Sequence, residues 1–250
     1  MTLLAPAPPA AAWDDPITQA ARVQSALATS SHQRAAGTAA AGDVRNLSGI
    51  GGDFVDVLRV DEHLIAVLGD VSGKGVAASL LAAMALGSLQ HHAQDLGPHP
   101  ARILRAVSSS MRGALDRTSS IITLAIVAVD TRAGLVRLVS AGHHPIMRVD
   151  RGRVSHVAAT CPPMGVDVGG SVERAWDRGT GSALVVVSDG VVDQEDPNGS
   201  PLGLAGLATA LRSTPTSDPS VIVARTFDAL ENHAGWMPAV DDRAVLAIVT

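Results

Sequence analysis

Four aspartates punctuate this chain, each at the edge of an apolar, strand-like run and beside a glycine, a second acid, or both. They are Asp53 in Gly51-Gly52-Asp53-Phe54-Val55-Asp56, Asp70 in Gly69-Asp70-Val71-Ser72-Gly73-Lys74-Gly75, Asp189 in Ser188-Asp189-Gly190, and Asp241 in Asp241-Asp242-Arg243. A carboxylate where a buried strand meets a glycine turn adds little to packing. It suits a hard divalent cation, which takes several oxygen ligands from rigid elements. The chain must therefore fold so that four such strand ends can meet.

The pattern between these points predicts an α+β architecture. Ile17 to Thr29 has helical apolar spacing. Phe54–Val60 and Leu64–Leu68 read as strands of a hairpin turning at Asp61-Glu62-His63. An Ala/Leu-rich helix is expected over about Val76 to Gln94 and a second over Ala101 to Leu115. Further strands are expected over Ile121–Val129, Leu135–Ser140, Pro145–Val149, Ala183–Val187 and Ala244–Val249, with helices near Leu204–Arg212 and Pro219–Ala234. Short strands joined by hairpins, with helices gathered in blocks, argue for antiparallel sheets covered by helices rather than alternating βαβ units. The expected division is a lead-in and short helix over 1–35 and one domain over 36–250. Met1 to Trp13, broken by Pro6, Pro8 and Pro9 and lacking a basic residue, reads as a disordered lead-in rather than a signal peptide.

Composition narrows the function. A net charge of −5 with no Lys/Arg block argues against a nucleic-acid partner. Two Phe, three Trp and no Tyr leave an aliphatic core and no stacking platforms for single strands. The single Cys161 excludes an intrachain disulfide and a thiolate zinc site. The longest low-polarity stretch, Val76 to Leu89, is too short to span a bilayer, which takes roughly 17–25 residues. A cytoplasmic protein with no membrane insertion is expected.

The hairpin can bring Asp53 and Asp70 to the same end of adjacent strands, and antiparallel neighbours allow Asp189 and Asp241 to join them. Clustered carboxylates repel one another unless cations neutralise them, and four suit two ions. All-oxygen ligation favours Mg or Mn. Two such ions polarise a phosphoryl oxygen and acidify a bridging water, which fits hydrolysis of a phosphate ester. Any one of these aspartates alone reads as a turn residue; together they read as a site. Asp56, Asp193 and Asp242 read as solvated, as braces behind the ligands or as ligands of an extra ion. A nucleotide P-loop at Gly69–Gly75 fails on spacing, and Ser72 and Ser188 lie in no nucleophile elbow. His143 reads as a turn organiser.

These segments resemble the SpoIIE/RsbU-type bacterial serine phosphatases of the metal-dependent protein phosphatase (PPM) superfamily. Ser140-Ala141-Gly142-His143-His144-Pro145 is similar to the family's Ala-Gly-His-x-Pro turn and Pro163-Met164-Gly165-Val166 to its Pro-Leu-Gly loop. Ser188-Asp189-Gly190-Val191-Val192-Asp193 is similar to its Thr-Asp-Gly-x-x-Glu segment, with a shorter acid at Asp193. The resemblance implies an αββα sandwich of two antiparallel sheets with a site for two Mn2+ or Mg2+ ions at one rim. Asp53, Asp70, Asp189, Asp241 and the Val71 carbonyl would be the ligands. Lys74 departs from the family pattern, standing where His or Asn is usual, and would add positive charge near the phosphate. It also implies a phosphoserine or phosphothreonine protein substrate, typically an anti-sigma-factor antagonist in partner switching, attacked directly by a metal-bridging hydroxide. The N-terminal helix would receive a regulatory partner or pair with a second copy. The alternative is a catalytically weak phosphatase fold that binds and regulates a signalling partner.

Overall fold

The structure, a computed structural model, describes residues 15–28, 30–166, 170, 172–179, 181–215 and 217–250. The lead-in expected over Met1 to Trp13 and the helix end at Thr29 lie outside these residues. Two antiparallel sheets stack face to face. The six-stranded sheet runs β1 (His32–Ala35), β2 (Thr38–Arg45), β11 (Arg243–Val249), β10 (Ser182–Val187), β7 (Ile146–Asp150), β8 (Arg153–Val157). The five-stranded sheet runs β3 (Phe54–Val60), β4 (His63–Val71), β5 (Ile122–Asp130), β6 (Leu135–Ala141), β9 (Arg174–Asp177).

Alternation of side chains along each strand builds three apolar layers. Leu64, Leu68, Val127 and Leu138 face Leu184, Val186, Leu246 and Ile248 between the sheets. The opposite faces of the same strands are also buried, which is why they read as continuous apolar runs. Ile65, Val67, Ile126 and Val139 pack under α2 (Gly75–Leu96) and α3 (Pro100–Thr118) through Leu86, Leu89, Ile103 and Met111. Val185, Val187, Val245 and Ala247 pack under α5 (Gly203–Arg212) and α6 (Pro219–Ala234) through Leu207, Leu211, Phe227 and Leu230. This is the expected αββα sandwich. Ala78, Ala82, Ala85 and Ala93 line the buried face of α2, so the helix approaches the sheet closely without aromatic side chains. Truncating one of the fully buried leucines, such as Leu89, would cost about 2–5 kcal/mol.

Helix boundaries follow local chemistry. Pro100 and Pro219 open α3 and α6 at positions whose N–H has no helical partner, and Asp218 caps α6 by accepting from Ser220 N. Gly97, at φ 59°, ends α2 with its N–H bonded to Ala93 O. The first helix, α1 (Pro16–Leu27), buries none of its residues and exposes Ile17, Val23 and Leu27.

The sandwich departs from the sequence expectation in four strands. β1 and β2 are Ala/Gly-rich and polar, with little intrinsic strand preference, and are held by pairing with β11 and each other. The folded sheet therefore starts at His32, before the expected boundary at 36. β8 and β9 are edge strands whose side chains are mostly exposed, so they carry no apolar alternation to read. A short helix, α4 (Asp189–Val192), also follows β10, so Asp189 opens a helix rather than closing a strand.

Candidate active site

The hairpin register does what the 17-residue spacing suggested. Phe54 pairs with Gly69 and Val60 with His63, which sets Asp53 directly across from Asp70 at the open end. In the other sheet Val187 pairs with Val245, and Ser188 and Ala244 exchange two hydrogen bonds. That places Asp189 and Asp241 at the same end of adjacent strands. The four aspartates thus arrive at one rim of the sandwich, two from each sheet.

Burial and mutual repulsion mark the cluster. Asp53 is 3% exposed, and its Oδ2 is buried with no hydrogen-bond partner. Burial, then the Asp70 charge, push its carboxyl up to about 8, although the Ser188 hydroxyl opposes this. Burial and the charges of Asp189 and Asp241 raise Asp70 to about 6, against a hydrogen bond to Asp53. Asp189 is also raised, by burial first, and Asp241 and Asp193 add to the rise. Such groups stay charged together only when cations balance them.

The surrounding loops are built to hold these acids. Asp242 Oδ1 accepts the Leu47 N–H at 2.8 Å and its Oδ2 accepts the Gly52 N–H at 3.0 Å, tying the Gly51-Gly52-Asp53 segment to the start of β11. A Cβ on Gly51 would overlap Asp242 Oδ2, and one on Gly52 would lie 2.6 Å from the Val71 carbonyl oxygen. Both glycines are therefore demanded by close approach. Ser188 is fully buried, and its hydroxyl accepts from Ala244 N and bonds Asp53, so it positions a carboxylate rather than serving as a nucleophile. The serine adjoining Asp189 was the only sequence signal for that role. The Ser72 hydroxyl is likewise engaged, accepting from Ile121 N.

His143 organises its turn as expected. It is fully buried, its Nδ1 meets the Thr123 hydroxyl at 2.8 Å and its Nε2 meets the Val187 carbonyl at 3.1 Å, so it bridges the two sheets beneath the site. Burial lowers its pKa to about 4, leaving a neutral ring.

Three of the weaker candidates have definite places. Asp56 is not solvated: it is wholly buried and accepts from Ser30 N, Val57 N and Gln90 Nε2. It fastens β3 to α2 and to the segment before β1, away from the other acids. Asp193 is exposed at the end of α4, near Asp189. Lys74 pairs with Asp241, Nζ to Oδ2 2.8 Å, and donates to the Val240 carbonyl. Nothing in the sequence signals the contact made by Gln24 of α1, which donates to Gly51 O at 2.8 Å and accepts from Gly51 N at 3.2 Å, two residues from Asp53.

The donor set fits hard divalent cations: all oxygen, anionic, on rigid strand ends, with an orphaned buried carboxylate oxygen at its heart. Among the described residues, no group of three His, Cys, Asp or Glu side chains is already drawn together tightly enough to hold an ion. Asp241 is paired with Lys74.

Comparison with known proteins agrees with this geometry. The sequence matches the family described as Stage II sporulation protein E (SpoIIE) over residues 60–250, a span that includes Asp70, Asp189 and Asp241. No curated protein sequence matches the chain. Among solved structures it is similar to the SiaA-PP2C domain of Pseudomonas aeruginosa, with a TM-score of 0.82 and 20% identity over 94% of this chain and 96% of that one. The RsbU and RsbW domains of Rv1364c from Mycobacterium tuberculosis match with a TM-score of 0.70 and 24% identity, over 84% of this chain and 59% of that one. The PP2C phosphatase domain of SpoIIE from Bacillus subtilis, solved with a fragment of its regulatory domain, matches with a TM-score of 0.73 and 16% identity, over 87% and 64%. The chain belongs to the SpoIIE family, on the two-sheet PP2C phosphatase fold.

Proposed function

We propose that the chain is a metal-dependent protein serine/threonine phosphatase. The observation that carries this reading is the meeting of Asp53, Asp70, Asp189 and Asp241 at one rim, with Asp53 Oδ2 buried and unpartnered. Those four side chains and the Val71 carbonyl would hold two Mn2+ or Mg2+ ions. When bound, the ions supply Lewis-acid charge and an acidified water for in-line displacement at phosphorus. A PstP catalytic domain of the same fold was solved with two manganese ions, which supports the choice of metal.

The chain's own residues do the rest. Asp242 and the two glycines fix the Asp53 loop, Ser188 orients the Asp53 carboxyl, and His143 locks the sheets together beneath. Ser72 and Ser188 each accept a backbone N–H, which supports water rather than either serine as the attacking group.

The substrate we assign is a phosphoserine or phosphothreonine protein, an anti-sigma-factor antagonist in a partner-switching pathway. The structural likeness to the RsbU and RsbW domains of Rv1364c supports this. The location we assign is the cytoplasm; no helix among the described residues is long and apolar enough to cross a membrane. The exposed apolar face of α1, joined to Gly51 through Gln24, supports a regulatory partner or a second copy docking there. The test is phosphate release from a serine-phosphorylated antagonist protein in Mn2+. Release by the unaltered chain but not by Asp70→Asn is expected. Release by neither, from folded protein that takes up metal, would favour the binding-module reading.

A further inference from the structure

Lys74 is placed at the carboxylate rim by its backbone. Gly73 and Gly75 stand at φ 102° and 66°, and Lys74 between them is extended, at φ −135° and ψ 163°, immediately before α2. This turn delivers the ammonium to Asp241 Oδ2 at 2.8 Å and to the Val240 carbonyl at 2.9 Å. Asp241 Oδ1 in turn accepts the Asp242 N–H at 2.9 Å. Both oxygens of Asp241 are thus engaged by the chain itself, whereas Asp53 retains a buried oxygen with no partner. The acids at the rim are therefore not equivalent: one is already balanced by a protein cation.

We infer that Lys74 is a tethered cation that competes with a divalent ion for Asp241 and so lowers the metal affinity of the site. The inference rests on the metal-centre reading above. A lysine ammonium is a compact point charge on a flexible stem, suited to yielding its partner reversibly. A divalent ion gains Asp241 only by displacing the ammonium or by binding beside it against like charge. At this half-exposed position that is worth roughly a tenfold weakening of metal affinity. Were Lys74 instead a brace that aims Asp241 at the ion, its removal would weaken binding, about 10–100-fold for such outer partners. The two roles have opposite signs.

Calorimetric titration with Mn2+ alone separates them, on the unaltered chain, Lys74→Met, Lys74→Arg, Asp241→Asn and the Lys74→Met/Asp241→Asn double variant. Lys74→Met should bind Mn2+ about tenfold more tightly and Lys74→Arg much like the parent. The gain should vanish in the Asp241→Asn background, because the competitor and its target form one coupled pair. Circular dichroism confirms folding, which the exposed Lys74 does not endanger. Equal or weaker binding by Lys74→Met, or a gain that survives Asp241→Asn, would overturn the inference and leave the metal centre standing. Absence of any Mn2+ uptake by the unaltered chain would overturn both.

Discussion

Asp53→Asn should stabilise the metal-free protein at alkaline pH while abolishing its response to metal. Asp53 is raised from 3.8 to about 8 by burial and by Asp70. Between pH 4 and 8 the folded chain therefore holds a proton there that the unfolded chain has released. Stability falls as pH rises through that window, at up to about 1.36 kcal/mol per pH unit. The full rise corresponds to on the order of 5 kcal/mol above pH 8. Asp70, raised to about 6, acts with the same sign between pH 4 and 6, but the two share one repulsion and their effects do not sum. Asparagine keeps the shape and cannot ionise. With on the order of 5 kcal/mol relieved at pH 8.5, the variant should melt roughly 10–20 °C above the parent, since a chain of this size shifts about 2–4 °C per kcal/mol. The gap should close near pH 4.5. Scanning calorimetry in EDTA from pH 4.5 to 8.5 reads this directly. His143 contributes equally to both proteins and cancels. Added Mn2+ should raise the parent's Tm and leave the variant's unmoved. Parallel Tm curves at all pH values, or a variant less stable at pH 8.5, would refute the reasoning.

Three further outcomes are expected. Asp242→Ala frees the Leu47 and Gly52 N–H groups and should cost about 2–4 kcal/mol in urea melts, with Mn2+ affinity falling at least tenfold as the Asp53 loop loosens. Gly52→Ala drives a methyl into the Val71 carbonyl, so metal uptake should be lost in titrations even where circular dichroism shows a folded chain. His143 is held neutral with its pKa lowered to about 4, so its contribution is complete above about pH 6.5 and is lost as pH falls toward 4. His143→Ala should lower the Tm most at pH 7, and the deficit should shrink toward pH 4.

The sequence exposed the site more fully than the sheet that carries half of it. The aspartates were legible because a charge at the end of a Val/Leu/Ile run conflicts with packing, and the conflict needs a cause. Asp53 and Asp70 could even be paired, because a tight turn at Asp61-Glu62 fixes the register. β1 and β2 were illegible because Ala39-Ala40-Ala41-Gly42 has neither β-branching nor alternation; its strand form comes from pairing with β11. The edge strands β8 and β9 face solvent and show no pattern. The sequence left Asp56 open between a solvated acid and a brace because its partners, Gln90 and the Ser30 N–H, lie 34 and 26 residues away. Ser188 and Gln24 act through hydrogen bonds between distant segments, which no spacing rule encodes.

The four-aspartate rim, read as a metal-dependent phosphatase centre, has a simple chemical signature. Its most direct test is hydrolysis of para-nitrophenyl phosphate by the purified chain in Mn2+, Mg2+ or EDTA, with Asp70→Asn alongside. Turnover is expected with either metal and none in EDTA, with a loss of at least a hundredfold in Asp70→Asn. Turnover that persists in EDTA or in Asp70→Asn, or none with either metal from a folded chain, would contradict that reading.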